Sequence, residues 1–479
     1  MKEKKKLSAG RILAFAVGDI CGGGVFNIVN FLYPAYLAVA IGLKPYYAGI
    51  IIMLARVFDA VIDPPIGFLS DKMRVRYGSR RRTMLISAPL LVVAMFLMFY
   101  PHDIAMDDFP KFLLALGSYL LFCLVQSTIM IPYFSLASEI TEDYTERARL
   151  TSVRLGFSIF SSIICVAVPG IIVDAFKDNK EAFGGNAGYV VMSILFGVIF
   201  MVSMLITALF AKEDVPAPKS VDPFVIKDLI KPFKLKPFRQ YLWIYLCCQM
   251  TMAIMSALFF FYVDYYFCRD LTAQGEGNIV GMLGAAIMFG MQIVALPIYM
   301  KMIRKFSKMA AYISGAVIWI VSALLLLVLP AGVNPVWLYI LAAVMGFGIS
   351  GPGLIPHAIF GDVVDAGHLK FGERDAGSFS GIGNFINTVA QALGIAAAMF
   401  ILGAAGFQER KASMDFIESQ APSAQTAIIL VMALAPLICM TFAIFVCTRY
   451  RLNMENHARV LDAIENGSDA EKAKVLESL

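Results

Sequence analysis

Charge is what this sequence has least of. Only 16% of its 479 residues are Asp, Glu, Lys or Arg, against about 25% in an ordinary soluble domain. A soluble chain of this length would divide into two or three domains with polar surfaces, and there is too little charge here to coat them. Redox motifs are missing as well. The eight cysteines show no C-x-x-C spacing. Cys21, Cys123, Cys165, Cys247, Cys248, Cys439 and Cys447 lie inside apolar runs and read as small buried hydrophobes, with Cys268 near a loop. The glycine-rich run 346–353 is not followed by the Gly-Lys-Ser/Thr of a phosphate loop. His357 is the one candidate histidine near a helix core, and it has no nucleophile or base beside it in the pattern, so nothing marks a membrane-embedded enzyme.

What is present is a series of long apolar runs. A spanning helix needs about 20 apolar residues, and such runs fall near 11–41, 46–71, 84–101, 111–138, 150–174, 187–211, 239–267, 275–302, 309–330, 335–360, 376–405 and 425–449. The first follows a basic segment, as a signal peptide would, but it is too long for one and contains Asp19; it reads as a retained helix. Six spans, a basic linker and six more spans is the plan of the major facilitator fold. The expectation is an all-α membrane protein of twelve helices: a bundle over 1–211, a linker over 212–238, a second bundle over 239–449 and a polar tail over 450–479. The stretch 72–82 alone has Lys72, Arg74, Arg76, Arg80, Arg81 and Arg82. The positive-inside rule therefore places both termini and the linker in the cytoplasm, in the plasma (inner) membrane.

The charges inside the spans say most about function, since each costs about 2.5–3.5 kcal/mol on insertion scales. Asp19 lies in the first span, and the second contains Arg56, Asp59 and Asp63. Asp59 and Asp63 are four residues apart, so they share a helix face and two ionised carboxylates would repel. In low dielectric they share a proton or bind a cation between them, with Arg56 one turn before. Asp19 and Asp63 are each about 12 Å from the basic side along their helices. An internal salt-bridge network that only fixes packing is the blander reading; three acids against one arginine is poorly balanced for it. A hard-oxygen site for sodium at Asp59 and Asp63, or a proton relay, fits better. Other features are two-sided. Asp264 near the opposite end of span seven reads as snorkelling. Arg154 snorkels, or reaches Asp19 and a substrate hydroxyl. The run 346–353 is either an interrupted helix or a close-packing face.

These residues also resemble a family. Arg56-x-x-Asp59-x-x-x-Asp63-Pro64-x-x-Gly67, followed by Tyr77-Gly78-Ser79-Arg80-Arg81-Arg82, is similar to the glycoside–pentoside–hexuronide:cation symporters. Gly18-Asp19, Ile131-Pro132-Tyr133-Phe134-Ser135-Leu136, Gly361-Asp362-Val363-Val364-Asp365 and Gly372-Glu373-Arg374-Asp375-Ala376-Gly377 agree. The resemblance covers nearly the whole chain. It implies that Asp59 and Asp63 bind the coupling cation with the hydroxyl of Ser127, that Asp19 binds sugar hydroxyls, and that Arg154 matches the family's arginine of span five. It also implies structural roles for Arg56, Asp71, Arg80, Arg81, Asp362, Asp365 and Arg374. Melibiose-type members have an amide where this chain has Ile62, a second sugar-binding acid where it has Met130, a Tyr and a Trp where it has Gln126 and Phe134, and a Lys where it has Thr388. Those departures count against a galactoside.

The reading is a cation-coupled symporter working by alternating access on a sugar, glycoside or uronate. Sodium or a proton is the coupling ion, and no organic cofactor or nucleic acid is involved. Asp19, Gln126, Phe134, Arg154, Asn384 and Thr388 are the expected substrate residues. The protein is expected to act as a monomer in the bilayer, with the basic stretch after span two as a latch or as a topology signal alone. A carrier of lysolipids or other amphipathic solutes is the alternative. A non-transporting receptor or scaffold would not need three buried acids.

Overall fold

The computed structural model describes residues 7–100, 106–141, 144–176, 186–213, 231–268, 277–372, 376–408 and 420–478. Those residues form a succession of long helices: α1 Ala9–Ala40, α2 Pro45–Tyr77, α3 Arg81–Met98, α4 Asp108–Ile140, α5 Tyr144–Ala175, α6 Ala187–Phe210, α7 Lys236–Phe267, α8 Gly277–Lys305, α9 Lys308–Val328, α10 Val336–Phe371, α11 Ala376–Ala404 and α12 Pro422–Thr448. Two short polar helices follow, α13 Met454–Asn466 and α14 Asp469–Ser478. Eleven of the helices are long and apolar enough to cross a membrane. The remaining long one is α2, which carries the ionisable run; its 33 residues give about 50 Å of helix, ample for a bilayer. The protein is a multi-pass integral membrane protein. Most of the linker 212–238 and Arg374 lie outside the described residues.

Two helices outrun their apolar stretches. α2 continues to Tyr77 and α10 to Phe371, so most of the stretch expected to be a basic loop after span two is helix. An α-helix closes its own hydrogen bonds wherever it runs, so it does not stop where hydropathy stops. Both stop at a glycine in the left-handed region, Gly78 (φ 73°) and Gly372 (φ 79°), whose N–H returns to the carbonyl of Arg74 or His368.

The glycine-rich run 346–353 does not interrupt α10, which is continuous across it. It is a packing face instead. A Cβ on Gly348 would lie 2.7 Å from the backbone nitrogen of Trp319 on α9, and one on Gly351 would lie 2.9 Å from the carbonyl oxygen of Ala311. At Gly346 the added carbon would penetrate the Met288 carbonyl of α8. These contacts are with backbone, which cannot rotate away. Gly346→Val is therefore expected to lower stability by about 1–3 kcal/mol or more, read as a drop in melting temperature in detergent; an unchanged melting curve would show that α8 and α10 do not pack this closely.

By their internal contacts the residues group into two compact units. The first is Met1–Pro223, Phe259–Ala286 and Met399–Ala424; the second is Phe224–Leu258, Ile287–Ala398 and Gln425–Leu479. In the first, α1 lies on α5, α2 on α4, and α3 between α4 and α6. Gly23 and Gly24 let α1 approach Ser158 and Ser161 of α5, and the Ser161 hydroxyl donates to the Ile20 carbonyl at 2.6 Å. Phe31 of α1 meets Phe259 and Phe260 edge-on, with ring centroids 6.5 and 6.1 Å away. In the second unit α9 packs along α10, and α13 docks on the far end of α10. All eight cysteines are buried free thiols.

α1 and α7 share an unusual ending. Each finishes in a π-helical turn, Tyr36–Ala40 and Val263–Phe267. Asp264 lies in the second of these. Tyr36 to Val263 and Ala40 to Phe267 are the same 227-residue step, and the two helices have equal lengths of 32 residues. α1 has one further irregularity: Gly18, just before Asp19, bonds back three residues to the Phe15 carbonyl.

Candidate functional site

The helical spacing of α2 brings Asp59 and Asp63 to one face, and α4 brings a hydroxyl to them. Ser127 Oγ lies 3.0 Å from Asp59 Oδ1 and 2.7 Å from Asp63 Oδ1. Ser127 is almost wholly enclosed. A serine hydroxyl has one proton to donate, yet it stands within bonding distance of two acceptors. Both contacts are favourable when one carboxyl holds a proton, or when a cation sits among the three oxygens. Two carboxylates and a hydroxyl form the kind of hard-oxygen set that suits a small monovalent ion or a proton. Among the described residues no group of three or more His, Cys, Asp or Glu comes together as a metal centre.

Arg56 is held away from a simple one-turn pairing by α1. Its guanidinium donates to Asn30 Oδ1 at 2.8 Å and lies 5.2 Å over the Phe26 ring. Asn30 is itself buried and was not apparent from the sequence as a partner. Arg56 and Asp59 are three residues apart on α2, which places them on neighbouring turns of one face.

Asp19 sits on α1, 4% exposed. Arg154 of α5 approaches it, Nε to Oδ2 at 3.8 Å, so Arg154 reaches inward. The same guanidinium lies 5.3 Å over the ring of Phe134 on α4, whose face is half exposed. Asp19, Arg154 and Phe134 thus form one cluster across three helices. Met130 takes part in it: its methyl group and the Asp19 carboxylate both crowd the space a side chain at Gly22 would fill. Gln126, one residue before Ser127, has its Oε1 buried with no hydrogen-bond partner. Asn384 and Thr388 lie on α11 in the second unit, Asn384 exposed and Thr388 half-buried.

At the ends of α2 and α4 the basic residues find two acids, Glu139 and Glu213, that sequence reading passed over. Glu139, 2% exposed, receives Arg74 at 3.1 Å and Arg80 Nε at 2.6 Å. Arg80 also pairs with Asp71. Glu213, just past α6, accepts from Ser79 Oγ at 3.0 Å and from the Arg80 N–H at 3.2 Å, with Arg81 Nε at 3.9 Å. Arg81 donates to the Ala208 carbonyl at 3.2 Å. In the second unit Asp362 receives Lys308 at 2.5 Å, and His457 of α13 stands 3.1 Å from Asp365. Buried acids at helix ends were the available signal for Glu139; Lys308 and His457 gave none, being 54 and 92 residues from their partners.

Residues 14–454 match the family described as MFS/sugar transport protein. The chain belongs to that family. The family resemblance carried by the α2 motif is thereby confirmed, and the protein is a transporter, not an enzyme. Over 473 residues it is 27% identical to an uncharacterized symporter of Synechocystis sp., covering 83% of this chain and 86% of that one. It is 24% identical to the glucuronide carrier protein homolog of Escherichia coli (strain K12), covering 96% of each. A crystal structure of a peptide transporter in complex with sulfate superposes with a TM-score of 0.61 at 14% identity, covering 92% of this chain and 95% of that chain. That likeness gives the major facilitator fold.

Proposed function

We propose that this family member is a cation-coupled symporter for a sugar, glycoside or uronate. Two halves, 1–211 and 239–449, joined by the linker 212–238, would rock about the substrate by alternating access. Both termini face the cytoplasm of a plasma (inner) membrane by the positive-inside rule. The observation that carries the reading is Ser127, whose single proton faces both Asp59 and Asp63. That arrangement is completed by one positive charge, a sodium ion or a proton. Asp19 and Arg154 supply an acceptor and a donor set for hydroxyls or a carboxylate, and Phe134 an exposed ring face for a sugar. Gln126 adds an unfilled acceptor. The names of the symporter and glucuronide carrier relatives point the same way.

The second reading, a lysolipid or other amphipathic solute, draws on Met130, an apolar side chain packed beside Asp19. Flux into proteoliposomes decides between them. With an inward sodium or proton gradient, labelled glycosides or uronates are expected to accumulate above the outside concentration and to stop doing so when the gradient is collapsed. Uptake of lysophosphatidylcholine with none of any sugar would replace the first reading by the second. Flux that ignores both gradients would remove cation coupling.

A further inference from the structure

The second unit carries a polar cluster that the coupling pair and the Asp19 cluster do not use. On α11, Asn387 is 8% exposed. Its amide nitrogen donates to the Tyr245 hydroxyl of α7 at 3.3 Å, and its Oδ1 is buried with no hydrogen-bond partner. Turning the amide over does not repair this: one polar end meets Tyr245 and the other is left without a partner. On α10, His357 sets its ring edge-on to Tyr245, centroids 5.8 Å apart, and stays open on its other side. Tyr241 stacks on Tyr245 at 5.7 Å and holds that ring in place.

Helix register puts these groups within about 7 Å of one another in depth. Tyr245 is nine residues into α7, Asn387 eleven into α11, and His357 fourteen from the end of α10. These are depths of about 14, 17 and 21 Å from helix ends on the same side. As a rule ionisable residues at such depth face the bundle interior or a water-filled cavity.

We propose that Tyr245, Asn387 and His357 form a hydrogen-bonding subsite for the hydroxyl groups of a sugar. This rests on the sugar-symporter reading above and sharpens it. Tyr245 offers its O–H, His357 a ring nitrogen and Asn387 its unpartnered Oδ1, so the set both donates and accepts, as a vicinal diol does. It holds no fixed charge. An acyl chain would leave Asn387 Oδ1 buried without a partner, which the subsite resists; a sugar hydroxyl supplies one.

The test compares a sugar with its monodeoxy analogues in proteoliposome counterflow, on the unmodified protein and on Asn387→Leu and Tyr245→Phe. In the unmodified protein, removing one particular hydroxyl is expected to weaken apparent affinity about 10-fold. Either substitution should weaken the parent sugar by a similar factor and leave parent and deoxy analogue within about twofold of each other. Tyr245→Phe removes a single oxygen and answers the question if Asn387→Leu fails to fold. If sugars are carried and both variants discriminate as the unmodified protein does, the subsite is wrong while the transport reading stands. If the unmodified protein carries lysophosphatidylcholine and no sugar, both fall together.

Discussion

Asp59→Asn and Asp63→Asn, each alone, are expected to bring gradient-driven accumulation down to an equal concentration on both sides of the membrane. The amide keeps the size of the carboxylate and can still meet Ser127 Oγ, so packing of α2 on α4 survives. What it removes is the negative charge that makes one bound positive charge necessary. An electrical driving force supplies about 2.3 kcal/mol per charge per 100 mV, enough for an accumulation of about 50-fold. Without the charge requirement the substrate moves with no cation and that factor is lost entirely. Exchange of labelled for unlabelled substrate should persist, because Asp19, Arg154 and Phe134 belong to a separate cluster. Accumulation driven by a sodium or proton gradient in both single variants would dismiss the pair as the coupling site.

The second large effect falls on stability. Arg74→Ala leaves Glu139 with Arg80 alone, inside a site where the Arg74 and Glu139 side chains are 9% and 2% exposed. Glu139 keeps Arg80 Nε at 2.6 Å, so the loss falls short of the about 3–5 kcal/mol of a buried charge left with no partner and is expected to be about 1–3 kcal/mol, the range for one lost charged hydrogen bond. Glu139→Gln on top of Arg74→Ala should return part of that loss, since Arg80 still has Asp71. Thermal unfolding in detergent reads both. A double variant no more stable than Arg74→Ala would mean that the cost lies in lost packing of the arginine stem and not in a carboxylate left with one arginine in place of two.

The helices were readable because lipid demands about 20 apolar residues in a row, and length alone finds such runs. Their ends were not: α2 and α10 go on as polar helix until Gly78 and Gly372, and hydropathy is blind to helix in water. The run 346–353 looked breakable because glycine loosens an isolated helix. It stays helical since its missing side chains are what allow α8 and α9 to come close.

Within the candidate site the same division holds. Asp59 and Asp63 are four residues apart, so local geometry pairs them before any tertiary structure is known. Ser127 was indicated by the family resemblance, and it lies 64 and 68 residues from the acids it joins. Asn30, Glu139, Glu213 and Lys308 pair across 26 to 134 residues. Nothing in a single sequence marks which distant polar residue a packed helix will present. Asn387 and Tyr245 were missed for this reason, although the expected Asn384 and Thr388 flank Asn387 on α11.

The burial of all eight thiols has a chemical consequence. A buried neutral thiol is a poor nucleophile, so alkylating and spin-labelling reagents in water should pass over the native cysteines. One cysteine introduced at an accessible position, such as Asn384 on α11, would then be the chief reactive thiol. Its rate of modification, with and without a coupling ion or substrate, would track how often that position meets water during the transport cycle.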